Sequence, residues 1–546
     1  MTIEHSFRRY ATVCYLLTGV IFAILFVENF IFSSDFTLLG FRSYDDVGFQ
    51  ASLRRAHLIL QAGDWPKFFI LNDYAYGWVF WATIALITYP LFLLEQSFSI
   101  AWPLIVTPRQ LSLLFGVMCL MVMHKLLKQL KVPSWACAGA VLIFALFPSM
   151  GYFSLRFGTV NAVTFFSLLA LYYALKQEKS TTWGVTRVAL SLAIAGAIKL
   201  SGLLIAPLIA LLLLRRLDWS RAVKTLVPPL IVFLLVLGVM INPSFLLIPS
   251  APHFWIDYLN DLQKFLEVTR IPEGPANPVE RFYYGVFRAF GAFLAMLLLM
   301  FGWFIAMRQD RSVRSDFLAI IAIFVSVAIY LAVSVKNVSS VGSYFTGISF
   351  VLLLGVVGYA RSSSGPRVLG VIISLLFLQQ LFLLNKGIQS ETPGMSHASY
   401  FIAKEFVEDD VALATSALAC VKEHSNGASV GQILIDFTVP VAINSISHPE
   451  TCLSMAWDNL SPARKYCGSP VDFLILDAEK AVGFLPAELF DEKIKSTNAT
   501  MAEVYREDRK NRELLINQGE FGNQHYTQVC DLGRLKIFKA DTLLSK

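Results

Sequence analysis

The chain has 546 residues, 56% hydrophobic and 15% charged, with a mean hydropathy of +0.59 and a formal net charge of +6. A soluble protein carries about 25% charged residues, so this composition excludes a water-soluble globular enzyme. Repeated apolar runs of span length imply a polytopic α-helical membrane protein, and basic residues placed in the short loops argue against a nucleic-acid partner.

The first apolar run, 11–32, is followed by no small-residue cleavage site and reads as a retained span rather than a signal peptide. Beyond it, Phe41-Arg42-Ser43-Tyr44-Asp45-Asp46 emerges at the far membrane face. Carboxylates beside a bilayer are costly and are functional candidates by default; the plain alternative for Asp45 and Asp46 is a solvated acidic loop. Further apolar runs follow at 77–94, 110–127, 136–153 and 158–175, then a long stretch 188–214 interrupted by Lys199, then 225–241, 286–306, 317–335, 345–360 and 367–384. After Asn385 the character changes to that of a soluble domain, which divides the chain into a membrane domain, 1–384, and a soluble domain, 385–546.

Lys and Arg mark cytoplasmic loops. Arg8 and Arg9, Lys125 to Lys131, Lys176 to Arg187, Arg215 to Lys224, Arg308 to Arg314, and Arg361 with Arg367 all belong on that side. This assignment requires the 77–94 run not to cross. Its Tyr and Trp residues (Tyr74, Tyr76, Trp78, Trp81, Tyr89) suit the membrane interface. Between two cytoplasmic clusters, the 188–214 stretch must leave and return, as two short helices meeting near Lys199-Leu200-Ser201-Gly202. The count is then about eleven crossings, with the N-terminus cytoplasmic and the C-terminal domain extracytoplasmic. Asp45, Asp46, Arg156, Lys199 and Lys336 all fall on the outer side, although Lys and Arg near helix ends also snorkel.

Several short motifs are familiar. Tyr44-Asp45-Asp46-Val47-Gly48-Phe49 is followed by a helical stretch and Gly63-Asp64-Trp65-Pro66; Arg109-Gln110-Leu111-Ser112 to Gly116 opens a helix; Ser154-Leu155-Arg156-Phe157-Gly158 precedes Asn161; and Gly196-Ala197-Ile198-Lys199-Leu200-Ser201-Gly202 makes a turn. In order and spacing the chain over roughly 8–384 resembles integral-membrane glycosyltransferases of the GT-C fold, of the protein mannosyltransferase and aminoarabinose transferase type. That family has an acidic pair after its first span, then an amphipathic helix in the first outer loop. Asn161 stands where the family has an Asp, which puts a shared metal role in doubt and leaves a divalent cation open.

The resemblance implies transfer of a single sugar from a polyprenyl-phosphate carrier to a glycan, lipid or protein acceptor at the outer face of a bacterial inner membrane. Such chemistry needs a base for the acceptor, positive charge at the leaving phosphate and a groove for the lipid tail. Asp45 is the first candidate base and Asp46 the second, since neighbouring carboxylates disfavour joint ionisation. Arg156, Lys199 and Lys336 are candidates for the phosphate, with Arg54 a weaker one; Asn161 is a second-loop candidate for substrate or metal. His57 reads as a packing or surface histidine.

In 385–546, Val411–Thr415, Gln432–Asp436, Val471–Leu476 and Arg534–Phe538 read as strands and Thr500–Leu515 as a charged helix, implying a small α/β domain. Cys420, Cys452, Cys467 and Cys530 suit two disulfides of open connectivity; Cys14, Cys119 and Cys137 lie in or beside spans and read as packing residues. Two rivals remain. A transporter or flippase would show internal repeats and midplane charges, and neither is visible. An oligosaccharyltransferase of the same fold would show acids in both outer loops and a Trp-Trp-Asp signature, which this chain lacks.

Overall fold

The computed structural model describes residues 3–34, 44–69, 77–98, 102–176, 182–214, 219–257, 259–260, 294–295, 297–302, 349, 352–353, 355–360, 365–387, 412–413, 415–425, 430, 432–436, 452–456, 471–482, 485–486, 490–491, 499–522 and 524–541. The run expected at 317–335, the turn 336–344 with Lys336, and Cys467 lie outside them; 286–306 and 345–360 are described at scattered helical residues only. The chain forms two compact units. One comprises Met1–Phe30, Ala56–Tyr89 and Val106–Ser399; the other comprises Ile31–Arg55, Pro90–Ile105 and Tyr400–Lys546.

The helices follow the apolar runs with informative departures. Ile3–Ser34, Trp78–Phe98 and Trp102–Gln129 are each long and apolar enough to cross a membrane. The third is longer than the 110–127 run because its N-terminal residues, Leu104, Ile105 and Val106, are buried and continue the helix. The run 136–153 is not one helix. It breaks into Ser134–Leu146 and Pro148–Ser154. Pro148 has no N–H to continue the ladder, and it holds Phe147 extended at φ −62°, ψ 131°.

The 188–214 stretch is two helices, Thr182–Ile198 and Ala206–Leu214, separated by an extended Lys199 and a 3-10 turn, Leu200–Ile205. Thr182–Ile198 packs on both Val160–Lys176 and Trp219–Ile241. Its small residues Ala193, Ala195, Gly196 and Ala197 permit that approach, as small residues do between helices in lipid. Gly202 folds back so closely that a Cβ there would stand 2.5 Å from the Ala195 carbonyl.

Tyr44–Gln61 and the short Trp65–Phe69 helix are joined by a turn that its sequence dictates. Gly63 ends the first helix in the left-handed region, φ 68°. Asp64 caps the second, its Oδ1 accepting the Lys67 N–H at 3.1 Å, and Pro66 needs no partner in a first turn.

In the second unit, β4 (Lys480–Val482) and β5 (Leu485–Pro486) pair antiparallel as a two-stranded sheet, while β1 (Gln432–Asp436), β2 (Cys452–Ala456), β3 (Phe473–Asp477), β6 (Glu520–Phe521), β7 (Gln524–Leu532) and β8 (Leu535–Ala540) form a six-stranded sheet in the order β2-β1-β3-β8-β7-β6. β2, β1 and β3 run parallel, and the hairpin β7–β8 pairs antiparallel to β3. Alternate side chains serve opposite faces. Ile433, Ile435, Phe473, Ile475 and Ile537 pack on Ala417, Cys420 and Val421, whereas Leu434, Leu474, Leu476 and Phe538 pack with Leu515, Phe521 and Tyr526. The helix Ala499–Gln518 carries Leu515. The expected strand at Val411–Thr415 is instead helical: 412–413 and 415–424 are helix. Ala417, Cys420 and Val421 recur at helical spacing and are buried on the sheet, so burial of that stripe overrides the β-branched residues at its start.

Candidate functional site

Arg156 lies in the turn between Pro148–Ser154 and Val160–Lys176. Only 9% of it is exposed. Its Nη1 donates to the Tyr152 hydroxyl at 2.5 Å, and its guanidinium stacks 4.5 Å from the Tyr152 ring and 5.0 Å from the Phe153 ring. A guanidinium so placed is stiffened by cation–π contact.

Three buried side chains tie down the backbone on either side of it. Asn29, from the first helix, donates through Nδ2 to the Ser154 carbonyl at 3.0 Å. Asn161 donates through Nδ2 to the Ser112 carbonyl at 3.0 Å and to Ser154 Oγ at 3.1 Å. Ser112 Oγ, on the Trp102–Gln129 helix, accepts the Gly158 N–H at 3.3 Å. The Asn161 Oδ1 is buried and finds no hydrogen-bond partner among the described residues.

Lys199 sits at the helix break, half-buried, with φ −157° and ψ 132°. Its carbonyl accepts the Gly202 N–H at 2.8 Å. The start of Trp78–Phe98 meets residues beside both the Lys199 turn and the Arg156 turn. Gly77 lies against the Ala197 carbonyl, two residues before Lys199, and against the Met240 carbonyl. One turn later Phe80 stacks on Phe157 with ring centroids 5.8 Å apart, and Trp81 meets the same ring edge-on at 5.8 Å.

Asp45 and Asp46 occupy the first turn of Tyr44–Gln61, and their side chains lie outside the described residues, as does Lys336. Arg54, on the same helix, is engaged: its Nη1 stands 3.4 Å from Glu95 Oε1, with side-chain exposures of 19% and 10%. His57 is a packing residue, fully buried with Nε2 2.9 Å from Thr88 Oγ1 and 3.2 Å from the Ala85 carbonyl.

Sequence reasoning passed over Arg109, Glu28 and Glu95. Arg109 is fully buried inside the Trp102–Gln129 helix, and Glu28 is 5% exposed inside the first helix. A charged residue inside an apolar span is a signal in itself. Among the described residues, one group has metal-ligand geometry: Cys420, His424 and Cys530. The two cysteines are joined as a disulfide, which fulfils one of the two expected bridges and removes their thiolates as ligands. Cys452 is described by its backbone alone.

No family model and no curated protein matches the chain. Solved structures do. A crystal structure of ArnT from Cupriavidus metallidurans bound to undecaprenyl phosphate matches with a TM-score of 0.53 and 13% identity, covering 96% of this chain and 97% of that one. The apo structure of the same protein matches with a TM-score of 0.53 and 13% identity, covering 98% and 99%. Over nearly its whole length, then, the chain shares the fold of these ArnT structures.

Proposed function

We propose that the chain is a glycosyltransferase that moves a single sugar from a polyprenyl-phosphate carrier to an acceptor at the outer face of a bacterial inner membrane. One observation carries this reading: the full-length likeness to a protein whose crystal structure holds undecaprenyl phosphate. The site adds support. Arg156 is held in a stacked, buried setting, and the Lys199 turn packs beside the same helix start.

In this reading Asp45, or Asp46 as its neighbour, takes the proton of the acceptor hydroxyl as that oxygen bonds to the anomeric carbon. The bond from that carbon to the carrier's phosphate oxygen breaks, and its electron pair stays on the phosphate. Arg156 and Lys199 offset the charge that grows there. Lys336 is a third candidate for the same role. Arg54 is held by Glu95 and orders its helix. In this reading the domain at 385–546 is extracytoplasmic and either serves the acceptor or is a passive stabilising domain.

The test is direct. Purified protein incubated with a panel of radiolabelled polyprenyl-phosphate sugars should consume one donor and release the polyprenyl phosphate in step with transfer. A panel in which no donor is transferred or hydrolysed would overturn the reading.

A further inference from the structure

We propose that Asn161, Asn29 and Ser112 are positioning residues for transfer, acting through Arg156; the inference rests on Arg156 being a contact of the donor phosphate. The three come from three different helices and meet on five consecutive residues, 154–158. Asn29 and Asn161 hold Ser154, two residues before Arg156, and Ser112 holds Gly158, two residues after it. Leu155 and Phe157 between these anchors are 2% and 0% exposed. The Arg156 backbone is thus fixed on both sides, and Tyr152 then sets the direction of its side chain.

The two asparagines act as donors and Ser112 Oγ as an acceptor, and the amide atoms are assigned by their partners. Only an N–H can face the carbonyls of Ser112 and Ser154, so Nδ2 of Asn161 and Nδ2 of Asn29 must point there. An aspartate at 161 could not make the bond to the Ser112 carbonyl, which gives the amide at this position a role of its own. Asn29, Ser112, Ser154 and Asn161 are all at most 3% exposed, and buried polar groups persist where they are bonded. Space for the bracket is left by Gly116, where a Cβ would stand 3.0 Å from Ser154 Oγ and 3.2 Å from Asn161 Nδ2. An apolar contact would pack such a turn as tightly; directional bonds fix its orientation, and a guanidinium that must present a fork to a phosphate needs orientation.

The experiment uses the full-length protein and two probes, undecaprenyl phosphate and undecaprenol, which share a tail and differ in the phosphate. Asn161→Leu removes the amide without adding charge, and Ser112→Ala removes only a hydroxyl, a milder change should the first variant fold poorly. Asn161→Leu is expected to weaken undecaprenyl phosphate about tenfold and Ser112→Ala about threefold, with undecaprenol binding at parent strength. In an Arg156→Met background, adding Asn161→Leu or Ser112→Ala should change phosphate binding by less than about twofold, because the partner through which they act is gone. Equal losses in both backgrounds, or equal losses for both probes, would make these residues merely structural and overturn the inference. Arg156→Met weakened with Asn161→Leu and Ser112→Ala at parent strength would overturn it while sparing the phosphate role of Arg156. Arg156→Met binding undecaprenyl phosphate like the parent would overturn that role, and the inference with it.

Discussion

Gly77→Ala places one methyl group where the Arg156 and Lys199 turns are joined. The added Cβ would collide with the Ala197 carbonyl and stand 3.1 Å from the Met240 carbonyl. Carbon and carbonyl oxygen rest about 3.3–3.6 Å apart. Both obstacles are backbone, so no side chain can rotate away, and the segments must part by on the order of 1 Å. Overpacking of this kind costs about 1–3 kcal/mol. Ala197 is two residues from Lys199, and a misplacement of about 1 Å at a reacting centre can cost on the order of 100-fold. Gly77→Ala should therefore lower Tm by at least about 2 °C and cut transfer per folded molecule by roughly tenfold to 100-fold. Gly63→Ala is the matched control. Its φ is 68° with nothing within 4 Å of the added Cβ, so it carries backbone strain of about 1–2 kcal/mol and no collision. It should lose stability and keep parent transfer per folded molecule. Thermal unfolding in detergent with a radiolabelled transfer assay reads both. A Gly77→Ala protein with parent Tm and parent transfer would refute the convergence of the two turns on this residue.

Asp45→Asn keeps the shape and removes the proposed base; transfer should fall below about one part in 100 of the parent with undecaprenyl phosphate binding retained, and full turnover would remove Asp45 from the mechanism. Cys420 and Cys530 should appear as one cross-linked peptide in digests of protein purified without reductant. Replacing both should cost about 2–5 kcal/mol of domain stability, and two free thiols in the parent would contradict the bridge. The Tyr526 hydroxyl donates to the Val471 carbonyl at 2.9 Å, and burial, with Asp472 adding to it, raises its pKa above the ordinary 10.0. A raised folded pKa means this contribution is full below pH 10 and is lost as pH rises beyond it. Alkaline unfolding should therefore shift to higher pH relative to neutral stability in Tyr526→Phe, and an unchanged pH profile would count against it. Arg512 and Asp508 form an ion pair with side-chain exposures of 3% and 0%. Arg512→Met leaves a buried carboxylate and should cost about 3–5 kcal/mol, against little change if both are replaced by apolar residues together.

Much of the fold follows from apolar runs and a few residues whose backbone preferences admit one reading. The helix break at Lys199 is written as a lysine and two glycines in an apolar stretch too long for one span and too short for two upright ones. The turn at Gly63-Asp64 is written as a left-handed residue followed by a cap. Failures fall where a local rule competes with packing. Pro148 splits a run that hydropathy alone counts as continuous. Val411 and Thr415 favour a strand, and the stripe Ala417, Cys420, Val421 wins because it buries against Ile433, Phe473 and Ile537. The two-residue strand β6 is too short to show an alternation of its own, and β7 alternates weakly because most of its side chains are exposed or half-buried.

The site is less legible, for a physical reason. Charge announces itself in an apolar chain, so Arg156 and Lys199 could be picked out singly. The groups that orient Arg156 are neutral. Asn29, Ser112 and Asn161 look unremarkable in sequence, because an amide or hydroxyl inside a helix is cheap to place and its value depends on which carbonyl stands 3.0 Å away. Those partners lie 125 and 49 residues distant along the chain, and no spacing rule reaches that far. Asn161 shows the difference most clearly. In sequence it counts as a missing acid, a departure that weakens a site. In the folded protein its amide donates to the Ser112 carbonyl, a bond that a carboxylate cannot make, and to Ser154 Oγ in the segment that leads into Arg156.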